Sequence, residues 1–322
     1  MKQLRCEAFL RNIVVPAAHW VRRTTNGRPC MNRNKEYFMF INKGLVLEGG
    51  GMRGLYTCGV LDRLLEEDFE FRSVYGVSAG ACHACSYVSK QRGRAFRSGT
   101  KYLNEKDYCS LHSLITTGDL FGVDLLYNRI PNELEPFDFE TFEKRKSKLW
   151  VVVQNVETGK AEYKELTDMH RDIIWVRASA SLPLMSRMVE ADGKLYLDGG
   201  TADSIPLEAS MKEGNEKNLV ILTQHRQYRK PPSSSYKIAK LKYRKYPQLV
   251  ESMRDRHIMY NGELDLVAEQ EAKGNCLVIA PKQPMVVKRI EKDVEKLKIL
   301  YQQGYKDCEA MMGEIKKFLM EE

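Results

Sequence analysis

The chain has 322 residues, 43% of them hydrophobic and 29% charged, the balance of a soluble globular protein and not of a disordered, collagen-like or disulfide-stapled one. At roughly 150 residues per domain there is room for one large core with embellishments or for two domains. No apolar run reaches the ~20 residues of a membrane span, and the net charge of +8 is concentrated in residues 1–43 (net +7) and 225–256 (net +8), so the remainder is acidic.

Residues 1–42 read as a basic, poorly ordered tail. Arg11 interrupts the stretch in which a signal peptide needs its apolar core, and the Arg-rich composition also fits an organelle transit sequence. From Lys43 the pattern changes to short apolar runs alternating with amphipathic ones. Gly44–Leu47 predicts a buried strand and Gly54–Glu67 a helix, with Cys58, Leu61 and Leu65 three and four apart. Ser73–Gly76 predicts a second strand, followed by an Ala- and Cys-rich helix up to Lys90. Leu149–Val156 is a β-branched strand, Asp168–Ala180 a helix, Ala191-Asp192-Gly193 a hairpin turn before a strand at Lys194–Leu197, and Pro206 the first turn of a helix through Lys212. Asn218–Thr223 and Cys276–Ala280 are further strands, and Val286–Glu322 reads as two helices broken near Gly304. Strands separated by helices predict an α/β fold with a mostly parallel sheet sandwiched by helices and a helical C-terminal extension.

Eight cysteines lack the paired spacing of a disulfide framework and are expected to be reduced. Cys82 and Cys85 form a lone CxxC with no second pair, so neither a metal nor an organic cofactor is implied.

The chemistry lies in three segments. Glu48-Gly49-Gly50-Gly51-Met52-Arg53-Gly54, between a strand and a helix, is an anion cradle: consecutive glycines expose backbone N–H groups beside a helix N-terminus. It suits either a bound phosphate or an oxyanion that develops in acyl transfer, and its GxGxxG spacing also satisfies a dinucleotide fingerprint. Gly76-Val77-Ser78-Ala79-Gly80 has the small residues a nucleophile elbow needs on either side of its serine, although a tight turn with a helix-capping serine has the same pattern. Asp198-Gly199-Gly200 ends an apolar strand and offers a general base, or an ordinary Asp-Gly turn. Each is expected at the carboxyl end of a parallel strand, the edge where open α/β sheets build their sites.

In this order, with the serine of GVSAG 29 residues after Gly49, the aspartate of LDGG 120 residues after that serine, and Ala178-Ser179-Ala180-Ser181-Leu182-Pro183 upstream of the aspartate, the chain resembles the patatin-like phospholipase family over about residues 43–222. Its helical C-terminal part is similar to that of a bacterial branch. The resemblance implies a serine acyl hydrolase that cleaves carboxylic esters of lipid-like substrates with a Ser-Asp dyad and no histidine. Ser78 would be the nucleophile, Asp198 its base, Gly49, Gly50, Gly51, Met52 and Arg53 the oxyanion loop, and Gly76 and Gly80 the flanks of the elbow. A serine hydroxyl needs such a base, and loss of one oxyanion donor typically costs ~2.7–4 kcal/mol.

Three alternatives stay open. A Ser-Asp-His triad would use His225 or His257, while His83, five residues along the helix, is expected to point away. A Rossmann-type protein would use Gly49, Gly51 and Gly54, with Glu70 at about the right separation but ahead of the second strand. A non-catalytic lipid- or partner-binding module is the third. The cations and tyrosines of residues 226–245 fit contact with an anionic membrane, and no nucleic-acid recognition motif accompanies them. The expected organisation is a tail (1–42), a catalytic core (43–224), a basic loop and helical insertion (225–275) and a last strand with C-terminal helices (276–322), in a cytoplasmic protein that touches the inner membrane surface peripherally.

Overall fold

A computed structural model describes residues 39–284 and 286–321. All but the end of the basic tail, and with it the transit-sequence reading, lies outside the described residues. The first strand, β1 (Met39–Leu47), begins five residues before the apolar run predicts. Met39–Ile41 pairs with Phe69–Phe71, and a register shift before Gly44 joins this partly exposed extension to the buried Gly44–Leu47 segment.

A 3₁₀ turn (Gly51–Gly54) leads from β1 into α1 (Leu55–Leu65), and β2 (Phe69–Val77) leads through Ser78 into α2 (Ala79–Val88). Helices α3 (Arg94–Thr100) and α4 (Leu111–Thr117), a wide helical segment at Leu125–Leu134 and α5 (Phe139–Lys144) precede β3 (Lys148–Asn155), β4 (Ala161–Leu166) and α6 (Met169–Ser179). Then come β5 (Val189–Ala191), β6 (Lys194–Asp198), α7 (Leu207–Lys212), β7 (Asn218–Ile221), α8 (Tyr236–Lys242), α9 (Pro247–Ala272), β8 (Cys276–Ile279) and α10 (Val294–Met320).

The sheet runs β5-β6-β3-β2-β1-β7-β8, with β4 also on β3. Neighbours from β8 to β3 are parallel, and β4, β5 and β6 are antiparallel. Alternate side chains of the central strands face opposite layers, as the period of two requires. Leu45, Leu47, Leu219, Ile221, Leu277 and Ile279 pack with residues of α1, α2 and α10. Val46, Val220 and Val278 pack with residues of α7 and α9. The buried parallel strands are accordingly continuous apolar runs.

The expected break at Gly304 does not exist: α10 is one 27-residue helix. Glycine at 304 serves packing. A Cβ on Gly304 would lie 2.0 Å from the Tyr56 carbonyl oxygen, and one on Gly59 would lie 2.0 Å from the Tyr301 carbonyl oxygen. The two helices touch backbone to backbone, and Tyr56 Oη donates to Asp307 Oδ2 at 3.0 Å across the crossing.

Candidate active site

The residues Gly76 to Gly80 turn the chain from β2 into α2 at the carboxyl edge of the sheet. Ser78 sits at φ 55°, ψ −122°, a strained backbone that a non-glycine residue adopts only when its surroundings enforce it. They do. A Cβ on Gly76 would lie 2.8 Å from the Ala81 backbone nitrogen, and one on Gly80 would lie 2.6 Å from the Leu47 carbonyl oxygen. The Ser78 N–H donates to Ser179 Oγ at 2.9 Å, and Ser179 Oγ donates in turn to the Val152 carbonyl at 2.6 Å. The Ser78 side chain makes no cap hydrogen bond to the helix it precedes, which removes the capping reading of the motif. Its hydroxyl donates to Asp198 Oδ2 at 2.7 Å.

Asp198 reaches that position by a route the sequence pattern does not predict. Its strand β6 is antiparallel to β3, so the expectation of a parallel strand fails. Residues Leu149–Val152 of β3 pair with β2 and with β4, whereas Val153 and Gln154 pair with β4 and with β6. A strand has two edges, so β6 occupies the same edge of β3 as β2 and enters end-on from above it. Val77 is opposite Val152 and Asp198 opposite Val153, and the two strand ends meet. A Cβ on Gly199 would lie 2.2 Å from the Val152 carbonyl oxygen, which is why glycine follows the aspartate. Asp198 is 2% exposed, its Oδ1 accepts the Gly200 N–H at 2.8 Å, and its own N–H donates to the Ser181 carbonyl at 2.8 Å. Burial pushes its carboxyl above the ordinary aspartate range, opposed by the Ser78 hydrogen bond and the Arg256 charge.

The glycine loop lies beside the elbow because Leu47 pairs with Gly76. Two of its five expected donors are engaged: the Gly49 N–H donates to the Ser204 carbonyl (3.3 Å) and the Met52 N–H to the Arg289 carbonyl (2.9 Å). These bonds anchor the two ends of the loop. The Gly50 and Gly51 N–H groups make no hydrogen bond among the described residues, and both residues line one recess with Ser78 and Asp198. Gly51 has φ +58°, and a Cβ there would lie 2.5 Å from the Arg289 carbonyl oxygen. Ahead of the loop, Glu48 is buried with its carboxyl raised by burial; it accepts from Tyr260 Oη at 2.7 Å and from the Thr223 N–H at 2.5 Å.

A larger cavity of about 240 Å³ opens on the other side of Ser78, walled by apolar residues that include Met52, Leu55, Tyr108, Phe121, Ile130 and Ile173. His83 lines this cavity, not turned from the site as expected. Its Nε2 is buried without a partner, and burial lowers its pKa to about 4. His225 packs its ring edge-on to Tyr228 and His257 Nδ1 lies 3.2 Å from the Arg254 carbonyl, and neither lines the recess or the cavity. The dinucleotide reading also lacks its acidic residue: Glu70 lies near the start of β2, held by Lys90 and by the N–H groups of Lys146 and Ser147. Among the described residues no group of His, Cys, Asp or Glu converges as a metal site, and the six cysteines there are unpaired.

Part of the basic stretch is already paired or turned toward the site. Arg226 pairs with Glu271, Arg229 with Asp265 at 2.9 Å, and Lys230 turns toward the recess. Lys237, Lys240 and Lys242 remain exposed on α8, together with Ile238 (64% exposed) and Leu241 (79%). Ser179, Glu48, Lys230, Arg256 and Arg289 are site neighbours that sequence reasoning did not assign. Ser179 lies in the Ala178–Pro183 segment and Glu48 at the head of the glycine loop, but neither pattern assigns them a role; Lys230 and Arg256 lie in the basic stretch, which read as a membrane contact, and Arg289 carries no local signal.

A family model described as patatin-like phospholipase matches residues 45–211, and one described as a domain of unknown function matches residues 246–320. The chain is similar to the uncharacterized protein YjjU of Escherichia coli K12, at 29% identity over 185 residues, 56% of this chain and 51% of the relative, so the match spans about half of that protein. It is similar to the probable lipid hydrolase 463L of Invertebrate iridescent virus 6, at 24% identity over 73% of this chain and 92% of the relative. The crystal structure of VipD from Legionella pneumophila aligns with a TM-score of 0.41 and 14% identity, over 85% of this chain and 67% of that one.

Proposed function

The chain belongs to the patatin-like phospholipase family, and from that premise we propose that it is a serine acyl hydrolase cleaving carboxylic esters of lipid-like substrates through Ser78 and Asp198. The observation that carries the reading is the 2.7 Å hydrogen bond from Ser78 Oγ to a buried carboxylate at the mouth of an apolar cavity. Asp198 Oδ2 takes the hydroxyl proton as Ser78 Oγ attacks the ester carbonyl carbon. The carbonyl oxygen becomes an oxyanion, for which the unpaired N–H groups of Gly50 and Gly51 are the available donors. Collapse breaks the bond to the leaving alcohol, which receives the proton from Asp198. Water then attacks the acyl-serine, giving its proton to Asp198, and the carboxylic acid leaves as Ser78 regains its proton. Burial suits Asp198 to this exchange by raising its affinity for the proton. The apolar cavity takes the acyl chain.

The exposed Ile238 and Leu241, flanked by Lys237, Lys240 and Lys242, support contact with an anionic membrane surface, where apolar side chains enter the head-group boundary and cations meet the lipids. No helix among the described residues is long and apolar enough to cross a membrane. Unpaired buried cysteines favour a reducing, cytoplasmic setting. The test is hydrolysis of p-nitrophenyl butyrate by the wild type, Ser78→Ala, Asp198→Asn and a His225→Ala/His257→Ala double variant. Loss of turnover in the first two and retention in the third is expected. An inactive histidine variant would replace the dyad by a triad, and full activity in Ser78→Ala would end the reading.

A further inference from the structure

Ser78 and Asp198 face a second space besides the apolar cavity. It is small, about 20 Å³ against about 240 Å³, room for about one water, so an acyl chain cannot enter it and a tetrahedral anion would sit at its mouth. Four cationic side chains line it: Arg53, Lys230, Arg256 and Arg289. They come from the 3₁₀ turn after β1, the loop after β7, the middle of α9 and the segment before α10. Only Arg53 lies within residues 45–211, so this lining is largely built by chain outside the matched catalytic segment.

Two carboxylates share the recess: Glu48, which accepts from Tyr260 and the Thr223 N–H and attracts Arg53 and Lys230, and Asp198, which accepts from Ser78 and the Gly200 N–H and attracts Arg256, so four cations face two carboxylates. Among the described residues the guanidinium groups of Arg53 and Arg289 make no hydrogen bond or ion pair, and Arg53 Nε is buried without a partner. Among the described residues the Lys230 ammonium makes no hydrogen bond or ion pair and lies over ring faces, its Nζ 4.2 Å from the Tyr260 centroid and 5.8 Å from that of Tyr228. Arg256 spends one donor, Nε, on the Gly200 carbonyl at 2.7 Å. Burial first, and then the Arg256 and Arg289 charges, lower the Lys230 pKa to about 7; burial and Arg289 lower that of Arg256 to about 10. Collected cations with unused donors repel one another, and an anion relieves that repulsion while accepting the donors. A forked guanidinium and a point-charge ammonium together match a tetrahedral oxyanion. Both carboxylates of the recess already hold hydrogen bonds, and Lys230 already covers the Tyr260 face that a quaternary ammonium would need.

We infer that Arg53, Lys230, Arg256 and Arg289 form a phosphate-binding subsite beside Ser78, and that the favoured substrate is an acyl glycerophosphate with an uncapped phosphate, in preference to a neutral glyceride or a choline ester. This rests on the hydrolase reading above and names its substrate. The acyl chain lies in the apolar cavity, the ester over Ser78 with its carbonyl oxygen toward the Gly50 and Gly51 N–H groups, and the phosphate at the mouth of the recess against the four cations.

The test uses the full chain in two arms. In the first, calorimetry measures binding of glycerol 3-phosphate and of inorganic phosphate to the wild type and to Lys230→Met/Arg289→Gln, without turnover. In the second, kcat/KM is measured on a 1-acylglycerol phosphate and on the matching monoacylglycerol. Tighter binding of glycerol 3-phosphate than of inorganic phosphate is expected, weakened at least ten-fold in the double variant. The ratio of the two kcat/KM values should fall at least ten-fold, mainly through KM, with recovery in Lys230→Arg. Unaltered binding in the double variant overturns the subsite. Equal binding of both anions with an unchanged kinetic ratio overturns the headgroup assignment and leaves a site for free phosphate. If no ester is cleaved yet glycerol 3-phosphate binding depends on Lys230 and Arg289, the hydrolase reading fails and the anion site stands.

Discussion

Ser179 Oγ bridges Ser78 to the neighbouring strand: it accepts the Ser78 N–H at 2.9 Å and donates to the Val152 carbonyl at 2.6 Å. The strained Ser78 backbone is thereby tied to β3, whose next residue, Val153, is the pairing partner of Asp198. One hydroxyl sets the nucleophile's height relative to its base. Ser179→Ala leaves a buried N–H without an acceptor, at a cost of about 1–3 kcal/mol, and lets the elbow relax. A fall in kcat of about ten-fold or more is expected with KM little changed, since a small displacement of reacting groups is costly. Wild-type kcat in a variant that is destabilised would refute the positioning role.

The acid limb of the rate profile should report Asp198. Its carboxyl is held above 3.8, first by burial, while the Ser78 hydrogen bond and the Arg256 charge pull the other way. The base acts ionised, so kcat/KM rises with pH through that raised value. Arg256→Leu removes one of the downward influences and should move the limb to higher pH. A limb at or below 3.8, or one indifferent to Arg256, would contradict this assignment.

His83 makes stability fall in mild acid. Its folded pKa is about 4 against 6.5 for the ordinary group, so between those values the unfolded chain takes up a proton that the folded one refuses. The contribution is whole above 6.5 and is lost as pH falls toward 4. At pH 5 the loss is about 2 kcal/mol from linkage. Urea melts at pH 7 and pH 5 should show His83→Leu losing about that much less between the two conditions than the wild type. Equal losses would place the proton elsewhere.

What the sequence made legible was local. The Gly-x-Ser-x-Gly elbow, the glycine loop and the Asp-Gly pair each carry their geometry in a few adjacent residues, since the turn at Ser78 demands small neighbours wherever it occurs. The direction of β6 was not legible, because Lys194–Asp198 has the same apolar pattern whichever way it pairs. Arg256 and Arg289 look like ordinary surface cations in sequence, and only the packing of α9 and of the segment before α10 brings them to Ser78. Gly51 lies between these cases: its positive φ is a local property, but the Arg289 carbonyl that fills the space of a Cβ comes from more than 200 residues away. Gly51→Ala should therefore abolish ester hydrolysis and lower the melting temperature, and normal turnover would show that the loop tolerates a side chain there.

The misread break at Gly304 yields a paired test within one helix. Helix propensity treats glycine as a defect worth about 1 kcal/mol wherever it stands in a helix interior, so Gly304→Ala and Gly313→Ala should both stabilise α10 if propensity alone decides. The surroundings differ. A methyl at 313 meets nothing within 4 Å, whereas one at 304 would lie 2.0 Å from the Tyr56 carbonyl oxygen and 2.9 Å from its carbonyl carbon. Backbone cannot move aside as a flexible side chain can, so α10 must lift from α1, taking with it the Tyr56–Asp307 hydrogen bond. Gly313→Ala is expected to stabilise by about 0.5–1 kcal/mol and Gly304→Ala to destabilise by about 1–3 kcal/mol through overpacking. Denaturant melts of the two variants decide it: opposite signs support the backbone contact, and stabilisation by both would return Gly304 to the status of a tolerated helix defect.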